Sequence, residues 1–244
     1  MSMPRSYALL IRWQALRYKW LLPLTMVVQG LFAFGIVAGY PLLFPEIDKR
    51  TILFLATGAP AISLIMMGLV AVPQVVAQGK SEGSLEYIRS LPIPRLAFLL
   101  ADLSVWTAIV LPGVLCAVAI GSLRFGLELS VSPLVVPAFV LVALTASCAG
   151  YALATVAPPM VSGIVSQVLI VFVLMFSPLS FPAERLPDWL HAIHSVLPIQ
   201  AMGEVVRGSL ASTSFPLTSA SFLVLGAWCA GSVVVALAAL NRRG

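Results

Sequence analysis

The sequence predicts an all-α polytopic protein that crosses a membrane several times. Of its 244 residues, 60% are hydrophobic and 9% are charged, and the mean hydropathy is +1.05. Soluble domains carry about 25% charged residues, so this chain has too few to cover a surface that faces water. Long stretches without a charged residue alternate with short charged segments. The surroundings of the fold are therefore expected to be mainly lipid.

Six spanning helices are predicted. A helix rises 1.5 Å per residue, so a hydrocarbon core of roughly 30 Å requires about 20 apolar residues. The longest charge-free stretch, 129–183, contains Pro158 and Pro159 near its middle. Because proline interrupts helical hydrogen bonding, this stretch is expected to form two helices joined by a tight turn. The predicted spans are 21–44, 52–77, 98–122, 134–157, 161–181 and 219–240.

The distribution of basic residues predicts the orientation. Nine of the 14 Lys and Arg fall in the amino-terminal arm, the 78–97 loop and the carboxyl terminus, and five fall on the other side of the membrane. Basic residues concentrate in cytoplasmic segments, so both termini are predicted to be cytoplasmic. Their scatter between apolar blocks forms no basic face for nucleic acid.

The arm at 1–20 is predicted to be an amphipathic helix on the inner membrane surface. Tyr7, Leu10, Ile11, Gln14, Tyr18 and Leu21 fall roughly on one helical face, and Arg5, Arg12 and Lys19 lie around the other. The alternative, a solvated tail, would not need so many apolar residues. The arm has no short apolar core with a cleavage site, so it is expected to be retained.

The loop at 78–97 holds five of the 23 charged residues and contains a helix signal. Leu85, Ile88 and Leu91 share a face, Pro92 is expected to end the helix, and serines near 81–84 suggest its start. An ordinary solvated hairpin is the alternative. Gly79-Lys80-Ser81 does not form a nucleotide-binding P-loop, because the position five residues before Gly79 is Gln74 rather than glycine.

The segment at 182–218 is expected to form two short external helices that dip into the outer leaflet. Pro187 and Asp188 suggest the start of the first helix, and 199–210 could form the second. Asp188, His191 and His194 are spaced three apart, which places the outer two about 240° apart around a helix. The histidines are therefore interpreted as surface or interfacial residues rather than metal ligands.

The sequence shows no catalytic centre. The three cysteines lie in apolar stretches without a metal-binding spacing, and small-residue packing explains them. No acid lies near the middle of a span, where a proton-coupled transporter would carry one. Asp102 lies near one end of its span. Gly35-x-x-x-Gly39 in the first span could allow close helix approach, within the chain or with a partner.

At the two polar loops the sequence resembles the permease subunits of ABC type-2 exporters, the membrane halves of drug, lipid and polysaccharide exporters of the daunorubicin-resistance kind. The first loop reads Glu-Gly-Ser-Leu-Glu-Tyr-Ile at 82–88, followed by Leu-Pro at 91–92. The second reads Phe-Pro-x-x-x-Leu-Pro-x-Trp-Leu at 181–190, followed by Leu-Pro-Ile at 197–199. Order, spacing and six-span topology agree over nearly the whole chain.

The resemblance implies that the helix at 82–91 is a coupling helix, which docks into a groove of a separate ATPase subunit. The arm would be the connecting helix beside it, and the external helices a re-entrant pair that caps the exit. The residues expected to couple to the ATPase are Lys80, Glu82, Gly83, Leu85, Glu86, Tyr87, Ile88, Arg89 and Pro92. Those expected to form the re-entrant segment are Pro182, Leu186, Pro187, Trp189, Pro198 and Glu204.

The resemblance also implies two permease halves, identical or paralogous, that enclose the transport path. ATP and Mg would be bound by the partner ATPase, with no cofactor on this chain. The spans are apolar with scattered polar residues, which favours a lipophilic or amphiphilic cargo such as a drug, an antibiotic or a lipid. The candidate residues of the path are Gln29, Ser63, Thr145, Ser166 and Gln167.

Two other classes of function remain as alternatives: an intramembrane enzyme, and a non-transporting scaffold or immunity protein. An enzyme would show convergent His, Asp or Glu near a membrane face, and a scaffold would not need a coupling helix. The content of Ala, Val, Leu and Gly suggests a bacterium with GC-rich DNA. The expected location is the bacterial cytoplasmic membrane, with one transmembrane domain over 1–244.

Overall fold

The computed structural model describes residues 3–43, 49–91, 93–125, 129–179 and 187–241, and this part of the chain is helical without strands. The predicted all-α class is therefore confirmed. The helices are α1 (Met3–Tyr18), α2 (Leu21–Leu43), α3 (Lys49–Met66), α4 (Val72–Ser81), α5 (Ser84–Ser90), α6 (Arg95–Phe125), α7 (Val135–Val156), α8 (Pro159–Phe176), α9 (Asp188–Val196), α10 (Pro198–Leu210) and α11 (Ser219–Asn241).

Five helical segments in the described residues are long and apolar enough to cross a membrane. They are the continuous helix Lys49–Ser81, the Arg95–Cys116 part of α6, α7, α8 and α11. The remaining predicted span coincides with α2, a helix of 23 residues without a charged side chain. A multi-pass membrane protein is thus confirmed, and the count of six stays a prediction.

Proline determines several helix ends, because its ring disfavours the helical region for the residue before it. Ala157 precedes Pro158 and has an extended backbone, so α7 ends at Val156 and the predicted split between two spans is confirmed. Ser177 precedes Pro178 and is also extended. The predicted end of the fifth span at 181 is therefore wrong, since α8 stops at Phe176.

A π-helical turn, Met67–Ala71, joins α3 to α4. Pro73 follows it and lacks the N–H that a regular helix would use at this point. The turn lies where this long helix crosses α7 with almost no space between the backbones. A Cβ atom on Gly150 would collide with the carbonyl oxygen of Gly68, and one on Gly68 would collide with Ala146. Small residues thus permit the crossing.

The long helix formed by α3, the π turn and α4 lies at the centre of the bundle, and α8 and α11 lie at its periphery. Within the most apolar stretch of each helix, the buried share is 78% in the central helix, 17% in α8 and 22% in α11. The peripheral helices therefore present apolar surface to their surroundings.

The amino-terminal helix α1 packs against α6. Its buried face consists of Ser6, Leu10, Gln14 and Tyr18. The Tyr7 hydroxyl and Ser104 Oγ lie 2.9 Å apart, and the rings of Tyr18 and Trp106 are 5.1 Å apart. The face that the sequence analysis assigned to lipid therefore contacts protein.

Candidate functional site

The turn between α4 and α5 depends on Gly83, whose φ of 74° lies in the left-handed region that favours glycine. The backbone N–H of Gly83 donates to Lys80 O at 3.2 Å. The expected helix-starting serines do not cap α5. Ser81 Oγ donates to Ala77 O, and Ser84 Oγ donates to Gly79 O. Both hydroxyls therefore bond to carbonyl groups of α4 and not to α5. The sharp turn into α5 is made by the glycine.

Helix α5 presents an aromatic side chain outward. Tyr87 is 67% exposed, and Ile88 is half-buried against the core of the bundle. Exposed Glu82 accepts a hydrogen bond of 2.7 Å from Gln78 Nε2. The side chains of Leu85, Glu86 and Arg89, and Pro92 as a whole, lie outside the described part of the structure.

Lys80 points into the protein and binds the end of α7. Its Nζ donates to Thr155 O at 2.8 Å and to Ala157 O at 3.0 Å. The last carbonyl groups of a helix lack intrahelical donors and carry the negative end of the helix dipole. The ammonium group therefore caps α7, although the sequence analysis assigned Lys80 to the partner-facing surface.

Arg95 makes the equivalent contact with α11. Its Nη1 donates to Leu240 O at 2.6 Å and to Asn241 Oδ1 at 2.9 Å. Lys80 precedes α5 and Arg95 follows it, so the segment that carries α5 is attached at both ends to the last residues of spanning helices. Neither contact is visible in the sequence, because each joins positions at least 75 residues apart.

A small cavity of about 30 Å³ lies between α1, α4, α5, α6 and α7. It is lined by Gln14, Arg17, Tyr18 and Asp102 among others. Burial, assisted by the nearby Asp102 and opposed by Arg17, raises the pKa of Tyr18 to about 12, so its hydroxyl keeps its proton at neutral pH. Pockets for drug-sized ligands occupy roughly 300 Å³ or more, so this cavity does not hold such a cargo.

The described part of the 182–218 segment contains the two helices that the sequence predicts, α9 and α10. Pro187 immediately precedes α9, Trp189 is 65% exposed, and Pro198 begins α10. Pro182 and Leu186 lie outside the described residues. Helix α10 is almost wholly buried; it packs against α3, α7 and α11.

Two charged residues fix α10 in place. Glu204 accepts hydrogen bonds from Gln200 Nε2 at 2.8 Å and from Ser221 Oγ of α11 at 2.6 Å. Arg207 is buried; it donates to Leu179 O at 3.2 Å and lies with Cζ 3.5 Å from the ring centre of Phe54. Arg207 is not among the site residues predicted from the sequence, although a buried cation in an apolar helix requires such partners.

The prediction that the histidines lie at a surface or interface is wrong for His194. This side chain is fully buried, and its ring stacks on Phe172 of α8 with centroids 5.6 Å apart. Leu190 is also buried and lies one turn earlier, so one face of α9 packs inward. The side chains of Asp188 and His191 lie outside the described part of the chain.

The residues suggested for a cargo path have different environments. Ser63 Oγ donates to Ala59 O, and Thr145 Oγ1 donates to Leu141 O, so both hydroxyls bond to their own helices. Gln29 and Ser166 are buried, whereas Gln167 is exposed on α8. Their contribution to a cargo path stays a prediction.

The family model described as ABC-2 type transporter matches residues 7–211 of the chain. The match covers most of α1, the whole 78–97 loop, and the 182–218 segment through the end of α10. No curated protein matches the chain.

Proposed function

The chain belongs to the ABC-2 type transporter family, and we propose that it is the permease subunit of an exporter driven by a separate ATPase. A second permease subunit, the same chain or a related one, encloses the path with it. ATP and Mg are bound by the partner ATPase. The assembly resides in the bacterial cytoplasmic membrane with α1 and α5 on the cytoplasmic side.

The observation that carries this proposal is the attachment of α5. A short helix transmits a displacement only if its ends cannot move independently of the spanning helices. Lys80 and Arg95 meet this condition, because they bond to the ends of α7 and α11 on either side of α5. The exposed Tyr87 is then free to enter a groove on the ATPase.

Helices α7 and α11, to which the α5 segment is attached, connect it to the helix pair α9 and α10. Helices α7 and α11 are in direct contact, with Thr145 Oγ1 3.4 Å from Leu225 O and the thiols of Cys148 and Cys229 4.0 Å apart. Helix α11 has 23 residues and is therefore about 34 Å long. Its first turn contains Ser221, which donates to Glu204 of α10. A rigid-body shift of α7 and α11 would thus move α10.

The cargo in this proposal is lipophilic or amphiphilic: a drug, an antibiotic or a lipid. The support is chemical, because the described spanning helices present mainly apolar side chains and uncharged polar groups, with buried Asp102 of α6 as an acidic exception. A highly charged sugar chain would find few complementary charges there.

Charge replacement in the segment that carries α5 tests the function, with Glu82 in the turn before the helix and Glu86 on it. The variant Glu82→Gln/Glu86→Gln removes the acidic side chains that are expected to set the docking register. Export by cells that produce the chain with its ATPase should fall several-fold, and stimulation of ATP hydrolysis by the permease should fall with it.

The control is Glu46→Gln/Asp48→Gln, an acidic pair between the first two predicted spans. It should leave both activities unchanged. Normal export and normal ATPase stimulation in the α5 variant would refute the assignment of α5 as the docking helix.

A further inference from the structure

Helix α1 and the two turn residues that follow it carry an apolar stripe on the side that faces away from the protein. Its members lie four, three and four residues apart and therefore follow one line along the helix. They are between 46% and 77% exposed, and two of them are tryptophans. The stripe consists of Leu9, Trp13, Leu16 and Trp20. Its position is distinct from the face of α1 that packs on α6.

A row of basic residues runs beside this stripe. Arg5, Arg12 and Lys19 are exposed and seven residues apart, which places them within about 40° of one another around the helix. The Nζ of Lys19 lies 5.5 Å from the ring centre of Trp20. The chain from Met3 to Tyr18 contains no acidic residue, so nothing on the helix neutralises this row.

The first predicted span, which follows directly in the chain, also carries an exposed apolar stripe. Helix α2 begins at Leu21, and its exposed apolar residues Leu24, Val27, Val28 and Leu31 again follow a helical line. A bilayer has apolar chains for both stripes and headgroups for the basic row. A soluble protein would cover the α1 stripe but not the apolar surface of a spanning helix.

We propose that the outer face of α1 is a binding surface for anionic phospholipids. Leu9, Trp13, Leu16 and Trp20 insert at the boundary between headgroups and acyl chains, where tryptophan rings are favoured. The adjacent row of Arg5, Arg12 and Lys19 binds phosphate groups of anionic lipids in the same leaflet. This lipid shell holds α1 against α6, beside the loop that carries α5.

Fluorescence quenching by brominated lipids tests the surface on the permease alone. The variant Trp189→Phe/Trp228→Phe removes two exposed indoles from the far end of the bundle and leaves buried Trp106 with Trp13 and Trp20. The protein is placed in phosphatidylcholine vesicles that contain a fixed fraction of brominated phosphatidylglycerol or brominated phosphatidylcholine. Each basic residue near an anionic leaflet contributes about fivefold in association. Because the row has three basic residues, brominated phosphatidylglycerol should be bound at least about tenfold more tightly than brominated phosphatidylcholine.

The additional changes Arg5→Gln/Arg12→Gln/Lys19→Gln should abolish this preference and leave equal quenching by the two lipids. Lys49→Gln/Arg50→Gln, which removes two exposed cations from the start of α3, should retain it. Equal quenching by the two lipids before the basic row is changed would overturn the headgroup assignment. Absence of quenching by both would overturn the whole surface and indicate that protein covers it. No ATPase is present, so either result is independent of the proposed transport function.

Discussion

Lys80 and Arg95 show that basic residues near the ends of spans can also cap other helices in a membrane protein. Basic residues near the ends of spans are usually interpreted as topology signals or docking charges. Here both cations donate to carbonyl groups at helix ends that would otherwise lack donors. Because the carbonyl groups belong to α7 and α11, the two side chains connect the α5 segment to helices far away in sequence.

Lys80→Met and Arg95→Met should each uncouple ATP hydrolysis from export. The methionine keeps an apolar stem of similar length but loses the donors to α7 or α11. A hydrogen bond from a charged group contributes about 1.5–3 kcal/mol when buried, and at these partly exposed sites about 1 kcal/mol is expected. The protein should fold and bind its ATPase, while export per ATP hydrolysed falls several-fold.

Lys80→Arg keeps a charged donor and should therefore retain most of the coupling that Lys80→Met loses. A purely steric role of the side chain would not predict this difference. Lys49→Met serves as the matched control, because Lys49 is an exposed cation at the opposite end of the central helix. Full coupling in Lys80→Met would show that the contact with α7 transmits nothing.

The helices of this protein were predictable mainly where proline or a charge interrupts the apolar pattern. The split at Pro158 and the two short helices α9 and α10 follow from local steric rules. The π turn at Met67–Ala71 and the close crossing with α7 are properties of two helices together. No pattern within one helix reveals that Gly150 faces the Gly68 carbonyl.

Gly150→Ala tests this crossing at the level of the element. The added methyl group would collide with Gly68 O, and overpacking of this kind costs about 1–3 kcal/mol. Purified Gly150→Ala should therefore unfold at a lower temperature in detergent. Gly163 of α8 faces open space, so Gly163→Ala should be neutral or slightly stabilising through helix propensity. Equal melting temperatures for the two variants would contradict the described crossing.

At the scale of the whole molecule, composition predicted the fold class, and two loop motifs predicted the family that the profile match confirms. The candidate site was predicted less well, because its key contacts are long-range. The position of α5 in the chain was apparent from Leu85, Ile88 and Pro92. Its attachment through Lys80 and Arg95, and the burial of Arg207, depend on packing that the sequence does not encode locally.

The central claim is that α5 is the contact site for an ATPase, and photo-crosslinking from Tyr87 tests it most directly. Tyr87 is replaced by a photoreactive phenylalanine derivative in cells that produce the intact transporter, and Trp189, exposed on α9, is replaced likewise as the control. The account predicts a covalent product between position 87 and an ABC ATPase, and none from position 189. A crosslink from position 87 only to lipid, or to the ATPase equally from both positions, would contradict it.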